Sequence, residues 1–127
     1  MNGMSLIRRL SHLGTYVHTL LCGKPVGCDS LGNTYYEERR PPKGIKPKRW
    51  VMYAGEPEAS MVPPEWHGWL HYTFDAPLSE KSPWHRAWQK PHLPNMTGTT
   101  AAYVPPGHTL MGGKRAHATG DYEAWRP

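Results

Sequence analysis

Apolar residues follow a regular helical spacing in one long stretch of the chain, residues 5–22. There they recur at steps of three and four, which aligns them along one face of an α-helix. The positions are Leu6, Leu10, Leu13, Val17 and Leu20. Ser5 is a candidate N-cap, and Gly23 with Pro25 is typical of a helix end. The pattern predicts an amphipathic helix over residues 5–22.

The charges of this predicted helix leave its binding partner open. It contains Arg8 and Arg9, and no acidic residue precedes Asp29. A basic helix with one apolar face can dock on protein, which is the common case, or lie on an anionic membrane surface. The same features are typical of organelle presequences.

A turn signal separates two short segments of strand character. Asp29 begins and Gly32 and Asn33 end a five-residue stretch that suits a hairpin loop, since these residues tolerate turn conformations. The flanking segments 26–28 and 34–37 are the predicted strands, and residues 50–53 are a third candidate. The pattern predicts an antiparallel hairpin extended to a three-stranded sheet.

A short helix is the last element that the pattern predicts. The Pro-Pro-Glu run at residues 63–65 suits a helix start, and Trp66 and Trp69 then share one face. Residues 76–127 have no periodicity and carry prolines, glycines and irregularly spaced aromatic residues. We expect this segment to be an extended arm whose aromatic side chains insert into pockets of a partner.

Composition limits the core that these elements can share. Leu, Ile, Val and Phe fill about a seventh of the 127 residues, below the ~20% that ordinary cores require. Six Trp and seven Tyr supply large apolar side chains instead. We therefore expect a small, irregular α+β fold with an N-terminal helix (1–24), a small folded body (25–75) and a long extended C-terminal arm (76–127). A self-sufficient enzyme with a deep pocket is not expected.

Positive charge is concentrated in the first half of the chain. The net charge is +5, and the excess lies within residues 1–50, most densely in the Pro-, Lys- and Arg-rich loop 39–49. With Tyr35, Tyr36 and Trp50 beside it, this loop is the best candidate for binding nucleic acid, through cations on phosphates and rings on bases. The sequence has no recognised nucleic-acid-binding signature and its second half is slightly acidic. A solvated or protein-facing loop is therefore preferred, and no nucleic acid is expected.

Residues with catalytic or metal-binding potential form no recognisable constellation in the sequence. His67 and His71 have the i, i+4 spacing of zinc ligands, but Gly68 stands where a metalloprotease has glutamate. The two cysteines, Cys22 and Cys28, are too few for a disulfide scaffold and indicate a reducing compartment. The sequence predicts no catalytic residue, no cofactor and no metal.

Four strings occur in the order that is typical of one family. They are V-G-C-D-S-L-G-N-T-Y-Y-E at 26–37, R-W-V-M-Y at 49–53, V-P-P-E-W-H-G-W-L-H at 62–71 and N-M-T-G-T at 95–99. Together they resemble the 17.2-kDa accessory-subunit family of NADH:ubiquinone oxidoreductase (respiratory complex I), whose paralogue is the assembly factor mimitin. The resemblance covers roughly residues 5–105, with Cys28 where a small polar residue is expected. The Ala-Tyr-Val-Pro-Pro string at 102–106 favours the subunit over the assembly factor.

The resemblance implies a non-catalytic subunit that stabilises the hydrophilic arm of the proton-pumping enzyme near its membrane junction. It implies core iron–sulfur and quinone-module subunits as partners and no redox cofactor of its own. Contact of residues 5–22 with the membrane surface is left open by their basic amphipathic pattern. The implied location is peripheral, on the cytoplasmic face of a bacterial inner membrane or the matrix face of a mitochondrial one. A complex I assembly factor and a nucleic-acid-binding module using loop 39–49 are the alternatives.

The residues expected to contact partners come from the predicted helix, the basic loop and the aromatic positions. They are Leu6, Arg8, Arg9, Leu10, Leu13, Val17, Arg39, Arg40, Arg49, Trp66, Trp84, Trp88 and Tyr103.

Overall fold

The structure is a computed structural model that describes residues 6–78 and 82–127. Side chains are described for the same residues except 6–9 and 11. The predicted cap Ser5 and the side chains of Leu6, Arg8 and Arg9 therefore lie outside the described part. The chain forms two compact units, Met1–Pro94 and Asn95–Pro127.

The described residues of the first unit form two helices and three strands. Its elements in chain order are helix α1 (Leu6–Cys22), strands β1 (Gly23–Cys28), β2 (Thr34–Glu38) and β3 (Arg49–Met52), a 3-10 turn (Ala59–Met61) and helix α2 (Pro64–Leu70). The strands form one antiparallel sheet in the order β1-β2-β3. The small α+β fold that the sequence predicts is confirmed, with its hairpin, its third strand and its short helix.

Strand β1 begins three residues before the predicted strand, because proline is tolerated at the edge of a sheet. Pro25 pairs with Tyr36, and β1 is an edge strand. An edge position does not require the N–H that proline lacks. The register shifts between Pro25 and Gly27, so Val26 is the extra residue of a β-bulge.

Side-chain alternation along the strands directs two aromatic clusters to opposite faces of the sheet. On one face Tyr36 and Trp50 lie roughly parallel beside α1, with ring centroids 6.2 Å apart. On the other face Tyr35 stacks on Trp66 of α2, with ring centroids 3.9 Å apart. The sheet therefore lies between the two helices, and the fully buried aromatic residues Tyr35 and Trp69 are on the α2 side.

Helix α1 contacts the sheet through its polar side. Thr19 is buried, and its hydroxyl accepts a hydrogen bond of 3.0 Å from Trp50 Nε1. The His18 ring packs beside the same indole, with centroids 5.4 Å apart. The row formed by Leu10, Leu13, Val17 and Leu20, here called the leucine face, is exposed by 61, 55, 46 and 76%. The predicted amphipathic helix is confirmed, and its apolar side is turned to solvent.

The second unit consists of turns, and its residues 115–121 are organised around one carboxylate. Asp121 accepts hydrogen bonds from the Arg115 guanidinium and, over 2.7 Å, from the backbone N–H of Ala118. The hydrogen bonds from Arg115 and, to a smaller extent, from the Ala118 N–H hold the pKa of the Asp121 carboxyl below its usual value. A 3-10 turn (Thr109–Met111) is the helical element described in this unit. Throughout the described residues, no helix is both long enough and apolar enough to cross a bilayer.

Candidate interaction surfaces

The hairpin loop is built around the carboxylate of Asp29. Its Oδ1 accepts from the backbone N–H of Leu31 and Asn33 over 2.9 and 3.0 Å. Its Oδ2 accepts from Asn33 Nδ2 over 2.9 Å and from the Tyr35 hydroxyl over 2.8 Å. Gly32 adopts a φ of 85° in this loop, which a residue with a Cβ rarely adopts. The residues of the D-x-x-G-N-x-Y string therefore stabilise the conformation of this turn.

Asn33 connects the hairpin loop to two other parts of the first unit. The side chain is completely buried. Its Nδ2 also donates to the Met61 carbonyl over 3.1 Å, and its Oδ1 accepts from the Ala54 N–H over 3.1 Å. One amide thus joins the hairpin loop, the end of β3 and the 3-10 turn. Sequence reasoning assigned Asn33 only to a turn, since its long-range partners have no local signal.

Tyr35 lies under α2 with its hydroxyl on Asp29. Burial, with the Asp29 hydrogen bond and charge as further causes, raises the pKa of the Tyr35 phenol far above its ordinary value of 10.0. The phenol therefore stays a neutral donor at any physiological pH. Burial also raises the pKa of Tyr53 at the end of β3.

Two indoles of α2 complete this core. The Trp66 and Trp69 rings meet edge to face, with centroids 5.5 Å apart, and both contact the Tyr35 ring. A Cβ at Gly27 would come within 2.9 Å of the Trp66 ring. The indole can therefore pack on β1 only because residue 27 has no side chain. The W-H-G-W string of the sequence is thus explained by packing against the sheet.

Arg49 fastens the end of α2 to the sheet. Its side chain is 7% exposed and forms an ion pair of 3.1 Å with Glu37 on the neighbouring strand. Its Nη1 donates to the carbonyls of Trp69 and Phe74 over 2.8 and 3.1 Å. The guanidinium also lies over the Trp69 ring, 4.7 Å from the centroid. Arg49 therefore serves the fold, at a position where the sequence alone suggested a partner contact.

The remaining residues predicted to contact partners differ in how exposed their side chains are. Arg39 is exposed, but its Nη2 donates to the Gly23 carbonyl over 2.8 Å at the end of α1. Arg40 is exposed, and Trp66 is half-buried on Tyr35. The aromatic residues expected to act as anchors all lie on the surface; Trp84, Trp88 and Tyr103 are 64, 78 and 85% exposed. Tyr122 and Trp125, the other aromatic residues of the predicted arm, are 88 and 82% exposed.

The basic loop 39–49 lacks the aromatic platform that the nucleic-acid alternative assumed. Tyr35 is completely buried and faces α2. Trp50 is engaged by Thr19 and His18 of α1, and Tyr36 lies against Trp50. The three rings that would stack on bases therefore pack within the protein. Of the features that favoured nucleic-acid binding, only the positive charges of the loop remain.

The described residues present little that resembles a metal or catalytic centre. His67 and His71 lie side by side on α2, with ring centroids 4.2 Å apart. In the described part of the chain, no group of three or more His, Cys, Asp or Glu side chains is placed to hold a metal ion. One surface groove, about 1080 Å³, is lined by the hairpin loop, the start of α2, Leu78, His85 and residues 88–92.

These features define a small α+β protein whose characteristic residues hold its core together and whose other large aromatic side chains remain on the surface. The family model of NADH ubiquinone oxidoreductase subunit NDUFA12 matches residues 23–127, and the chain belongs to this family. The match begins after α1 and continues beyond residue 105, where the recognised strings end.

Relatives from distant eukaryotes agree with this assignment. The chain is 40% identical over 93 residues to NADH dehydrogenase (ubiquinone) 1 alpha subcomplex subunit 12 of Dictyostelium discoideum, covering 72% of this chain and 66% of the relative. It is 42% identical over 94 residues to the Bos taurus protein of the same name, covering 65% and 63%. A probable subunit 12 of Arabidopsis thaliana is 37% identical over 110 residues, covering 80% and 65%. The chain thus spans slightly less than two thirds of the length of these relatives.

Proposed function

We propose that the chain is a non-catalytic accessory subunit of the proton-pumping NADH:ubiquinone oxidoreductase. It stabilises the hydrophilic arm near the membrane junction by binding core iron–sulfur and quinone-module subunits. Membership of the NDUFA12 family supports the assignment of the chain to this enzyme. The relatives are named as subunits of the alpha subcomplex of NADH dehydrogenase (ubiquinone). The location is peripheral, on the cytoplasmic face of a bacterial inner membrane or the matrix face of a mitochondrial one.

The observation that carries this proposal is the exposure of the large aromatic residues. The buried hydrophobic core of the described residues is Tyr35, Val62 and Trp69. Trp84 and Trp88 in the first unit and Tyr103 and Trp125 in the second are each more than half exposed. Aromatic side chains of this size are typical anchors of protein interfaces, because each removes a large apolar area from water when it enters a pocket.

The proposed contacts are assigned to the three parts into which the sequence pattern divides the chain. The helix (1–24) presents its leucine face and Arg8 and Arg9 to a subunit or to the membrane surface. The body (25–75) is the folded centre, with Arg39 and Arg40 at its basic edge. The arm (76–127) wraps neighbouring subunits through its aromatic anchors. An extended arm covers a large area per residue, although ordering it on binding costs free energy.

Co-migration with the assembled enzyme tests the proposal. Membranes are solubilised in mild detergent and separated on a native gel, the band with NADH dehydrogenase activity is located by staining, and its proteins are quantified by mass spectrometry. We expect this chain in the active band at about one copy for each core subunit. Its absence from that band, with the core subunits present, would overturn the proposal.

A complex I assembly factor is the nearest alternative. The same gel separates the two, because an assembly factor is found in smaller subcomplexes and is missing from the finished enzyme. A nucleic-acid-binding module is weaker, since Tyr35 and Trp50 are committed to the fold. It predicts binding to RNA or DNA that falls steeply with salt and depends on the basic loop 39–49.

A further inference from the structure

We infer that the leucine face of α1 binds the interface of an anionic phospholipid membrane, with the helix lying in the membrane plane. The inference deepens the proposed function and rests on it for the identity of the membrane. Its test requires only the purified chain and lipid.

The attachment of α1 to the sheet determines which side of the helix is left uncovered. Among the described side chains of the helix, Thr19 is the buried one, and it accepts the Trp50 hydrogen bond. Val17 is two positions away, which is about 200° around an α-helix, so it lies nearly opposite this contact. The leucine face therefore points away from the sheet. The described residues of the first unit leave these side chains 46–76% exposed.

The edges of the leucine face suit a membrane interface. Tyr16 and Leu21 flank it and are 53 and 71% exposed. Tyrosine is enriched at the boundary between lipid headgroups and hydrocarbon, where its ring is buried and its hydroxyl stays wet. At 17 residues, α1 is about 25 Å long, which suits a helix that lies along the surface.

Charge favours anionic lipid over a neutral partner. Residues 1–28 contain three Lys or Arg and no carboxylate side chain. At the end of α1, the backbone N–H of Arg39 donates to the Cys22 carbonyl over 2.8 Å, so the basic loop 39–49 leaves the body at that point. Arg40, Lys43 and Ile45 of this loop are exposed. An amphipathic helix joined to a polybasic segment is the combination that binds anionic bilayers.

Vesicle flotation of the purified full chain tests the inference. The probes are vesicles of phosphatidylcholine alone and vesicles of phosphatidylcholine with phosphatidylglycerol. The double variant L13E/V17E places two carboxylates on the leucine face, and L110E is the matched control, because Leu110 is 82% exposed in the second unit. Helix content is checked by far-UV circular dichroism, and R40E/K43E tests the loop.

We expect the wild-type chain and L110E to float with the anionic vesicles and to be released by salt. L13E/V17E should bind at least about a hundredfold more weakly with its helix content unchanged, and R40E/K43E at least about thirtyfold more weakly. Equal flotation of L13E/V17E and wild type would overturn the inference. So would a failure of the folded wild-type chain to float, or a salt-insensitive dimer that L13E/V17E dissociates. Failure to float would assign the leucine face to another subunit, and the dimer would assign it to a second copy of the chain. Neither result would change co-migration on the native gel, which tests the proposed function separately.

Discussion

Asn33 Nδ2 donates to Asp29 Oδ2 over 2.9 Å, and this contact fixes the amide that joins three parts of the first unit. The remaining partners of the Asn33 side chain are both backbone groups, on Met61 and Ala54. Since the side chain is fully buried, water cannot replace these hydrogen bonds without opening the structure.

Replacing Asn33 by alanine should therefore destabilise the protein strongly. We expect the N33A variant to lose about 2–4 kcal/mol of unfolding free energy, because two backbone groups and one carboxylate oxygen lose a buried partner. Urea unfolding followed by tryptophan fluorescence measures this. S30A, at an exposed position of the same loop, should stay within about 0.5 kcal/mol of wild type. Equal stability of the two variants would show that the network does not support the fold.

Arg49 should be required for the attachment of α2 to the sheet. In R49Q the ion pair with Glu37 is lost, and the carbonyls of Trp69 and Phe74 lose their donor. We expect a loss of about 2–4 kcal/mol, with faster hydrogen exchange in residues 69–75 than elsewhere in the body.

The matched control for Arg49 is K43Q, which removes one positive charge from an exposed position of the same loop. It should leave both stability and exchange unchanged. Equal exchange in R49Q and K43Q would contradict the role assigned to Arg49. R49K should recover little, because an ammonium cannot reproduce the planar donor pattern that reaches a carboxylate and two carbonyls together.

The local elements could be predicted from the sequence because their signals are local. The three- and four-residue spacing gave α1, the Asp29 to Asn33 turn gave the hairpin, and the Pro-Pro-Glu run gave α2. The start of β1 was misplaced, because whether Pro25 is tolerated depends on its edge position, which only the assembled sheet defines.

The long-range roles could not be predicted in the same way. A sequence pattern identifies Arg49 as a cation and Trp66 as apolar. It does not show that the Glu37 carboxylate lies beside Arg49 or that the Tyr35 ring lies beside Trp66. The orientation of α1 was also hidden. An apolar row normally faces the core, whereas here Trp50 reaches the polar side through Thr19.

Alkaline pH should weaken the fold through Tyr35. The pKa of this phenol is higher in the folded protein than its ordinary value of 10.0 in an unfolded chain. Its contribution is therefore complete below pH 10 and is lost as the pH rises above that value, because the unfolded chain then releases a proton that the folded chain retains. We expect the melting temperature to fall more steeply above pH 10 in wild type than in Y35F.

Y35F should be less stable than wild type at neutral pH by about 1–2 kcal/mol, because the hydrogen bond to Asp29 is lost. Y103F changes a tyrosine that is 85% exposed and should follow the wild-type curve at every pH. Parallel alkaline slopes for wild type and Y35F would mean that other groups cause the loss of stability.

Trp84 and Trp88 should contribute to association and not to folding. They are 64 and 78% exposed, so W84A/W88A should keep the wild-type melting temperature within a few degrees. Its occupancy in the active native-gel band should fall, since truncating a tryptophan that anchors an interface can cost about 2 kcal/mol or more in binding.

W66A is the contrasting variant. It removes the indole that stacks on Tyr35 and should cost about 3–5 kcal/mol of unfolding free energy. Normal occupancy of a stable W84A/W88A protein would show that the arm is held by other residues, with the exposed Tyr103 and Trp125 the next to test.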